Sequence, residues 1–173
     1  TRMAGTGKSM IIRMFVEHMK KIKFIGITST TGISALLIEG KTLHSYFCIG
    51  INKETVENMI TNINSKKWLY KRWRLTDCLI IDEVSMLNPE LFDMLENVAR
   101  IIRKNDKPFG GIQLILSGDF LQLPSIGTDT FVFQSDTWKK CIKNIFYLTE
   151  IFRQTDVKFQ QCLSEIRLGN ITK

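Results

Sequence analysis

A glycine-rich run near the amino end, from Gly5 to Ser9, reads G-T-G-K-S and could bind phosphate. Glycines let backbone N–H groups turn toward phosphate oxygens without a clash from a Cβ atom. Lys8 can reach the β- and γ-phosphates of a nucleotide, and the Ser9 hydroxyl can bind Mg²⁺. With Gly5, Thr6 and Gly7 as the backbone cradle, the run predicts a phosphate-binding loop that opens a helix.

The loop departs from its full pattern at one position. That pattern is G-x-x-x-x-G-K-[ST], and Arg2 stands where its first glycine belongs. An altered first turn is one reading of Arg2, and it leaves open whether this chain binds ATP. Such loops follow a strand, and no strand-forming run precedes this one. The expectation is a piece of a larger protein.

Two acids follow an apolar run in the middle of the chain. Residues 79–81 are Leu-Ile-Ile, typical of a buried parallel strand, and Asp82 and Glu83 come next. Asp82 could hold Mg²⁺ through water, because Mg²⁺ dehydrates reluctantly. Glu83 could orient or deprotonate an attacking water molecule. Acids at a strand end can also be simple helix caps.

Gln122 and Arg153 are two further candidates. Gln122 lies in the segment GDFLQLP at 118–124 and could sense a γ-phosphate or position water. Arg153, in the triplet F-R-Q at 152–154, could stabilise charge on a transferring phosphate. The alternatives are a solvated loop glutamine and an ordinary surface arginine.

Helices and strands alternate along the chain and would position these residues. Helical spacing predicts helices over 9–20, 33–38, 54–63 and 156–168, and another that Asn88 caps with Pro89 at its first position. Apolar runs predict strands over 24–28, 79–81, 112–116 and 145–148. The alternation favours an α/β fold with an open, mostly parallel sheet and helices on both faces. Ligands bind such sheets beyond the carboxyl ends of the strands.

Composition narrows the class of protein. The chain has 173 residues and a formal net charge of +7, which favours a polyanionic partner or merely confers solubility. The cysteines at 48, 78, 141 and 162 form no C-x-x-C pair, so isolated buried thiols are expected rather than a zinc site. Without a signal-peptide pattern or a membrane-length apolar run, we expect an intracellular protein. That means the nucleus, mitochondrion or viral replication site, or the cytoplasm of a bacterium.

The ordered motifs resemble those of the petite-integration-frequency helicases, the superfamily 1B branch that includes the RecD-like enzymes. The match covers nearly the whole chain, and its most specific segment is FGGIQLILSGDFLQLP at 109–124. The other matching segments are AGTGKS at 4–9, TSTTGISA at 28–35, GKTLHSYF at 40–47, LIIDEVSML at 79–87, LFDMLENVAR at 91–100 and LTEIFRQTDVKF at 148–159.

The resemblance implies a 5′→3′ DNA helicase driven by ATP hydrolysis with Mg²⁺. It implies that residues 1–173 are the first of two RecA-like motor domains, shortened at the amino end, with the second domain outside them. Ser9 and Asp82 would hold the metal, and Glu83 would activate water. The catalytic residues that it implies are Lys8, Asp82, Glu83, Gln122 and Arg153.

The resemblance also implies single-stranded DNA and forked or tailed duplexes as partners. The family's DNA-contacting positions match Thr28, Ser29, Thr30, Gly32 and His44. Hydroxyls, backbone N–H groups and an imidazole can all bond phosphate oxygens. For His44 the alternative is a structural hydrogen bond near the sheet edge. The basic–aromatic segment WLYKRWR at 68–74 could contact DNA or simply pack beside solvated cations.

Two other functions stay open beside a helicase that serves DNA replication, repair or recombination. One is a P-loop NTPase that acts as a switch or loader without unwinding. The other is a non-catalytic nucleic-acid-binding domain of the same fold, which the full set of catalytic candidates disfavours. Without a second motor domain the isolated chain is expected to hydrolyse ATP weakly or not at all. We expect a monomer and no membrane partner.

Overall fold

The structure is a computed structural model that describes residues 7–50, 55–125, 127, 130–148 and 156–168. Its strands are β1 (Ile25–Ser29), β2 (Lys41–Thr42), β3 (Cys78–Asp82) and β4 (Gln113–Leu116). Its α-helices are α1 (Lys8–Met19), α2 (Gly32–Leu37), α3 (Leu43–Phe47), α4 (Val56–Ser65), α5 (Lys67–Leu75), α6 (Pro89–Arg103), α7 (Asp136–Cys141) and α8 (Val157–Leu168). Short 3₁₀ turns cover Val84–Met86, Pro108–Gly111 and Val132–Gln134.

The four strands form one parallel sheet in the order β2-β1-β3-β4. The register pairs Ile27 with Ile80 and Ser29 with Asp82. The carboxyl ends of β1 and β3 therefore lie side by side at one edge of the sheet. Helices cover both faces, so the predicted open parallel α/β fold is confirmed.

Strand β3 is buried along its whole length and divides the core in two. Leu79 and Ile81 belong to a large cluster that includes Trp73 on α5. Cys78 and Ile80 belong to a smaller cluster that includes Ile12 on α1. Alternate side chains of a strand point to opposite faces, so these apolar residues fix the helices on both sides. Each large apolar side chain that is fully buried contributes about 1.5–3 kcal/mol.

The predicted strand over 145–148 is wrong. The segment is described, yet it forms no strand, and Ile145, Phe146 and Tyr147 are 56%, 80% and 62% exposed. In the described part of the chain β4 pairs with β3 alone. A cleft of about 600 Å³ is lined by β4 and residues 142–146. A strand needs a neighbour to complete its hydrogen-bond ladder, and the cleft separates this segment from the sheet.

The thiols differ from one another more than expected. Cys78 is buried, Cys48 and Cys141 are half-buried, and Cys162 is exposed, all without a disulfide. The prediction of a buried thiol is confirmed for Cys78 and wrong for Cys162. Burial raises the pKa of Cys78 and of Cys141 to about 11, which makes both poor nucleophiles. Among the described residues no helix is long and apolar enough to cross a membrane.

Arg103 ties the end of α5 to α6 and the following turn. Its Nη1 atom donates to the carbonyl oxygens of Trp73, Arg74 and Thr76 at 2.8, 2.8 and 2.9 Å. Its Nε atom donates to the Gly110 carbonyl at 2.7 Å. Burial lowers the pKa of the guanidinium. One side chain thus satisfies carbonyls that the end of a helix leaves unpaired.

Replacing Arg103 by lysine should lower the free energy of unfolding of the chain by about 2–4 kcal/mol. An ammonium group cannot reproduce the planar fork, and each buried carbonyl left unpaired costs about 1–3 kcal/mol. Urea unfolding followed by circular dichroism measures the change. Arg100→Lys is the matched control, because Arg100 forms a partly exposed ion pair with Glu96 on the same helix. Equal stability of both variants would show that the hydrogen bonds of Arg103 do not stabilise the fold.

Candidate functional site

Helix α1 begins where the phosphate-binding sequence predicts it. Gly7 precedes the helix with φ 82° and ψ 13°, a left-handed conformation that favours glycine. Its carbonyl accepts a hydrogen bond from Ile11 N at 3.0 Å. Lys8 and Ser9 form the first turn and are half-buried. The turn presents backbone N–H groups and a positive dipole end, which suits an anion.

Three of the predicted site residues lie outside the described part of the chain. They are Gly5 and Thr6 of the loop and Arg153 near the other end. Arg2, the departure from the loop pattern, lies outside it as well.

The acidic pair lies at the carboxyl end of β3. Asp82 is the last residue of the strand and is 3% exposed. Glu83 follows with φ 53°, a left-handed conformation that is unusual for a side chain larger than glycine. Backbone outliers of this kind cluster at functional sites.

Residues at the end of β1 hold the backbone of the acidic pair in place. Ser29 Oγ donates to the Asp82 carbonyl at 3.2 Å, and Thr30 N donates to the same oxygen at 3.2 Å. Thr30 Oγ1 donates to the Glu83 carbonyl at 2.8 Å. The two strand ends are thus joined by three hydrogen bonds, so a shift of one would be transmitted to the other.

Glu83 feels the charges of Lys8 and of two neighbouring acids. Burial raises the pKa of Glu83, and the charge of Asp82 raises it further. The ammonium of Lys8 lowers the same pKa, and Asp119 raises it. A glutamate with a raised pKa accepts a proton more readily near neutral pH, as a general base requires.

The Asp82 carboxylate has the properties expected of a magnesium ligand. Its Oδ1 atom is buried and makes no hydrogen bond with any described residue. Such an orphaned oxygen is costly unless a partner such as a hydrated cation satisfies it. No group of three His, Cys, Asp or Glu side chains in the described ranges could cage a metal. Mg²⁺ keeps waters and takes only one or two protein carboxylates beside nucleotide phosphates.

Asp119 is a site residue that the sequence interpretation missed. It follows β4, is 1% exposed, and is close enough to raise the pKa of Glu83. Its Oδ2 atom accepts a hydrogen bond from Gln122 Nε2 at 3.1 Å, and its Oδ1 accepts one from Leu121 N at 3.2 Å. The carboxylate therefore positions Gln122. The signal was available, since Asp119 is an acid three residues beyond an apolar run within the most specific motif.

The loop after β4 approaches the acidic pair closely at Gly118. A Cβ atom there would lie 2.8 Å from Val84 N, which donates to the Ser117 carbonyl at 2.9 Å. Only glycine allows this approach. The contact brings Asp119, which binds Gln122, to the carboxyl edge of the sheet, where its charge acts on Glu83.

The predicted DNA residues divide into two groups. Thr28 and Ser29 are fully buried. The Thr28 hydroxyl donates to the Ile80 carbonyl at 2.6 Å, and the Ser29 hydroxyl is bound to Asp82 as described above. Direct bonds from these two hydroxyls to DNA do not fit this structure, because both groups are occupied inside the sheet.

The remaining predicted DNA residues lie nearer the surface. Thr30 is half-buried, with its hydroxyl bound to Glu83. Gly32 is exposed as the first residue of α2, and His44 is exposed on α3. Contact of Thr30, Gly32 or His44 with DNA stays a prediction.

This fold and site define a RecA-like P-loop nucleoside triphosphatase domain. The PIF1-like helicase family matches residues 1–173, and the chain belongs to that family. It is 51% identical to "Uncharacterized protein 030L" of Invertebrate iridescent virus 6, over 99% of this chain and 35% of that protein. It is 45% identical to the ATP-dependent DNA helicase RRM3 of Saccharomyces cerevisiae, over 99% of this chain and 25% of that helicase.

A solved structure agrees closely with this one. The Pif1 helicase from Candida albicans superposes with a TM-score of 0.94 at 42% identity, over 98% of this chain and 40% of that one. The chain thus spans between a quarter and two fifths of the length of these relatives.

Proposed function

We propose that this chain is the first motor domain of an ATP-dependent DNA helicase that moves 5′→3′ along single-stranded DNA. The observation that carries the proposal is that the charge of Lys8, in the first turn of α1, acts on Glu83, which follows Asp82 at the carboxyl end of β3. Relatives at 45% and 39% identity are named ATP-dependent DNA helicases. A Bacteroides Pif1 at 30% identity has been solved with ADP-AlF3 and single-stranded DNA.

In this proposal each side chain has a task in ATP hydrolysis. The first turn of α1 and Lys8 would bind the β- and γ-phosphates, while Ser9 and Asp82 would hold the metal. Bound Mg²⁺ would neutralise charge that develops between those phosphates. Glu83 takes a proton from the attacking water, and Asp119 holds Gln122 beside the site. We assign Arg153 to the γ-phosphate as a further electrostatic contact.

The hydrogen bonds between β1 and β3 suggest how DNA would influence hydrolysis. Thr30 follows β1 directly, and its hydroxyl holds the Glu83 carbonyl. A DNA strand lying along Thr30 and Gly32 would therefore bear on the backbone of the catalytic glutamate. Closure of a second motor domain over ATP and reopening after hydrolysis would turn this link into stepping.

Strand separation by the two-domain protein tests the proposal. A duplex with a 5′ single-stranded tail should be unwound in the presence of ATP and Mg²⁺, and a duplex with a 3′ tail should not. Lys8→Ala is the control, because it removes the phosphate ligand and should abolish unwinding of the 5′-tailed duplex. Hydrolysis without unwinding on either duplex would instead support a switch or loader, and unwinding from the 3′ tail alone would reverse the polarity.

A further inference from the structure

Helix α5 and the residue before it carry dense positive charge that the proposed ATP site does not use. Residues 58–76 contain five basic residues and no Asp or Glu. The five are Lys66, Lys67, Lys71, Arg72 and Arg74. Within the described ranges none of the lysines of this helix forms an ion pair. Clustered, unneutralised cations attract a polyanion and release its counterions on binding.

An exposed tryptophan stands within this charge. Trp68 is 52% exposed, whereas Trp73 on the same helix is 0% exposed in the core. The guanidinium of Arg72 lies 4.8 Å from the centroid of the Trp68 ring and 4.9 Å from that of Tyr46. Stacking on Arg72 holds the indole in one orientation while much of it stays open to solvent.

Arg72 also fixes this part of α5 against α3. Its Nη1 atom donates to the Tyr46 carbonyl at 2.6 Å, and Tyr46 is two residues from the exposed His44. The basic–aromatic patch, defined as Trp68, Arg72 and the neighbouring Lys67 and Lys71, therefore adjoins the helix that bears a predicted DNA contact.

We propose that the basic–aromatic patch extends the DNA-binding surface, with Trp68 stacking on an unpaired base and the lysines facing phosphates. The inference rests on the proposed function, since it takes the same single strand as partner. A single strand fits better than a duplex, because duplex bases are already stacked on each other and cannot cover an indole face. Stacking on an aromatic ring serves any base sequence.

Binding of a labelled oligothymidine to the two-domain protein, at one fixed salt concentration, tests the patch. Trp68→Ala should weaken affinity about tenfold, the loss of one stacked base. Trp68→Phe keeps a stacking ring and should lose much less. Leu75→Ala is the matched control, because Leu75 is 45% exposed at the end of the same helix, and it should bind as the wild type does. In a separate series of titrations at several salt concentrations, Lys71→Ala should reduce the salt slope of binding by about one.

Intrinsic tryptophan fluorescence distinguishes base stacking by Trp68 from a purely structural role of that residue. The oligonucleotide should quench tryptophan emission, and part of that quenching should vanish in Trp68→Phe. Equal affinity of wild type and Trp68→Ala would overturn the inference while the proposed function stands. Weaker binding of Trp68→Ala with a lowered melting temperature, and unchanged quenching in Trp68→Phe, would also overturn it. Failure of the wild type to bind any single strand would overturn both.

Discussion

Glu83→Gln in the two-domain protein should hydrolyse ATP about 100-fold to 10,000-fold more slowly than the wild type while it still binds ATP. This is the range that a positioned general base contributes. Glutamine preserves the size of the side chain and the hydrogen-bonded backbone, but it cannot accept a proton from water. The raised pKa of Glu83 has its main cause in burial, and a neutral glutamine costs less to desolvate there than a charged carboxylate does. Steady-state ATPase at saturating single-stranded DNA measures the loss.

Nucleotide binding separates this role from a structural one. Affinity for a fluorescent ATP analogue should stay within a few-fold of the wild type. Glu90→Gln is the matched control, since Glu90 lies in the exposed first turn of α6 and should keep full activity. A hydrolysis rate within threefold of the wild type would show that Glu83 is not the general base. Parallel loss of nucleotide binding and hydrolysis would instead indicate that Glu83 supports the structure of the nucleotide-binding site.

The elements with strong local signals were predictable. The helix that begins after Asn88 is confirmed, because Asn88 Oδ1 accepts from Leu91 N at 3.1 Å and Pro89 occupies its first position. Strand β3 is also confirmed. The signal that predicted it was a continuous apolar run that ends in a charged pair. Both signals act within a few residues, so no knowledge of the rest of the fold is needed to interpret them.

Other elements depend on contacts that sequence spacing does not show. Strand β2 has only two residues, and α3 has five, too short for periodicity to reveal. The run at 145–148 has strand composition but no pairing partner among the described residues. Helix α5 was hidden because its charged residues obscured the apolar pair Leu69 and Trp73, four positions apart on one face.

The candidate site shows the same division. The motif identified Lys8, Asp82 and Glu83, and the structure brings their charges together. The motif could not tell which atoms of Thr28 and Ser29 face outward, because β1 pairs on both sides and buries both hydroxyls. A motif shows that a position matters, whereas burial and hydrogen bonds decide whether its role is contact or support.

Trp73→Ala should lower the free energy of unfolding of the chain by about 3–5 kcal/mol, the usual cost of removing a buried tryptophan. Trp73 is fully buried, and its ring lies 4.0 Å from that of Phe47, centroid to centroid. The pair joins α5 to α3 in the larger core cluster. Urea unfolding followed by far-ultraviolet circular dichroism measures the change without relying on the tryptophan signal that the substitution removes.

Trp73→Phe isolates the packing contribution. The indole Nε1 of Trp73 is buried without a hydrogen-bond partner among the described residues, a defect that costs about 1–3 kcal/mol in other proteins. Phenylalanine removes that N–H and keeps a ring against Phe47, so its loss should stay below about 2 kcal/mol. Trp68→Ala, at the exposed tryptophan of the same helix, should change stability by less than about 1 kcal/mol. Only the buried indole of Trp73 leaves a cavity behind when it is removed, so Trp73→Ala should cost more than Trp68→Ala. Equal losses of stability would mean that the Phe47–Trp73 contact does not hold α5 in the core.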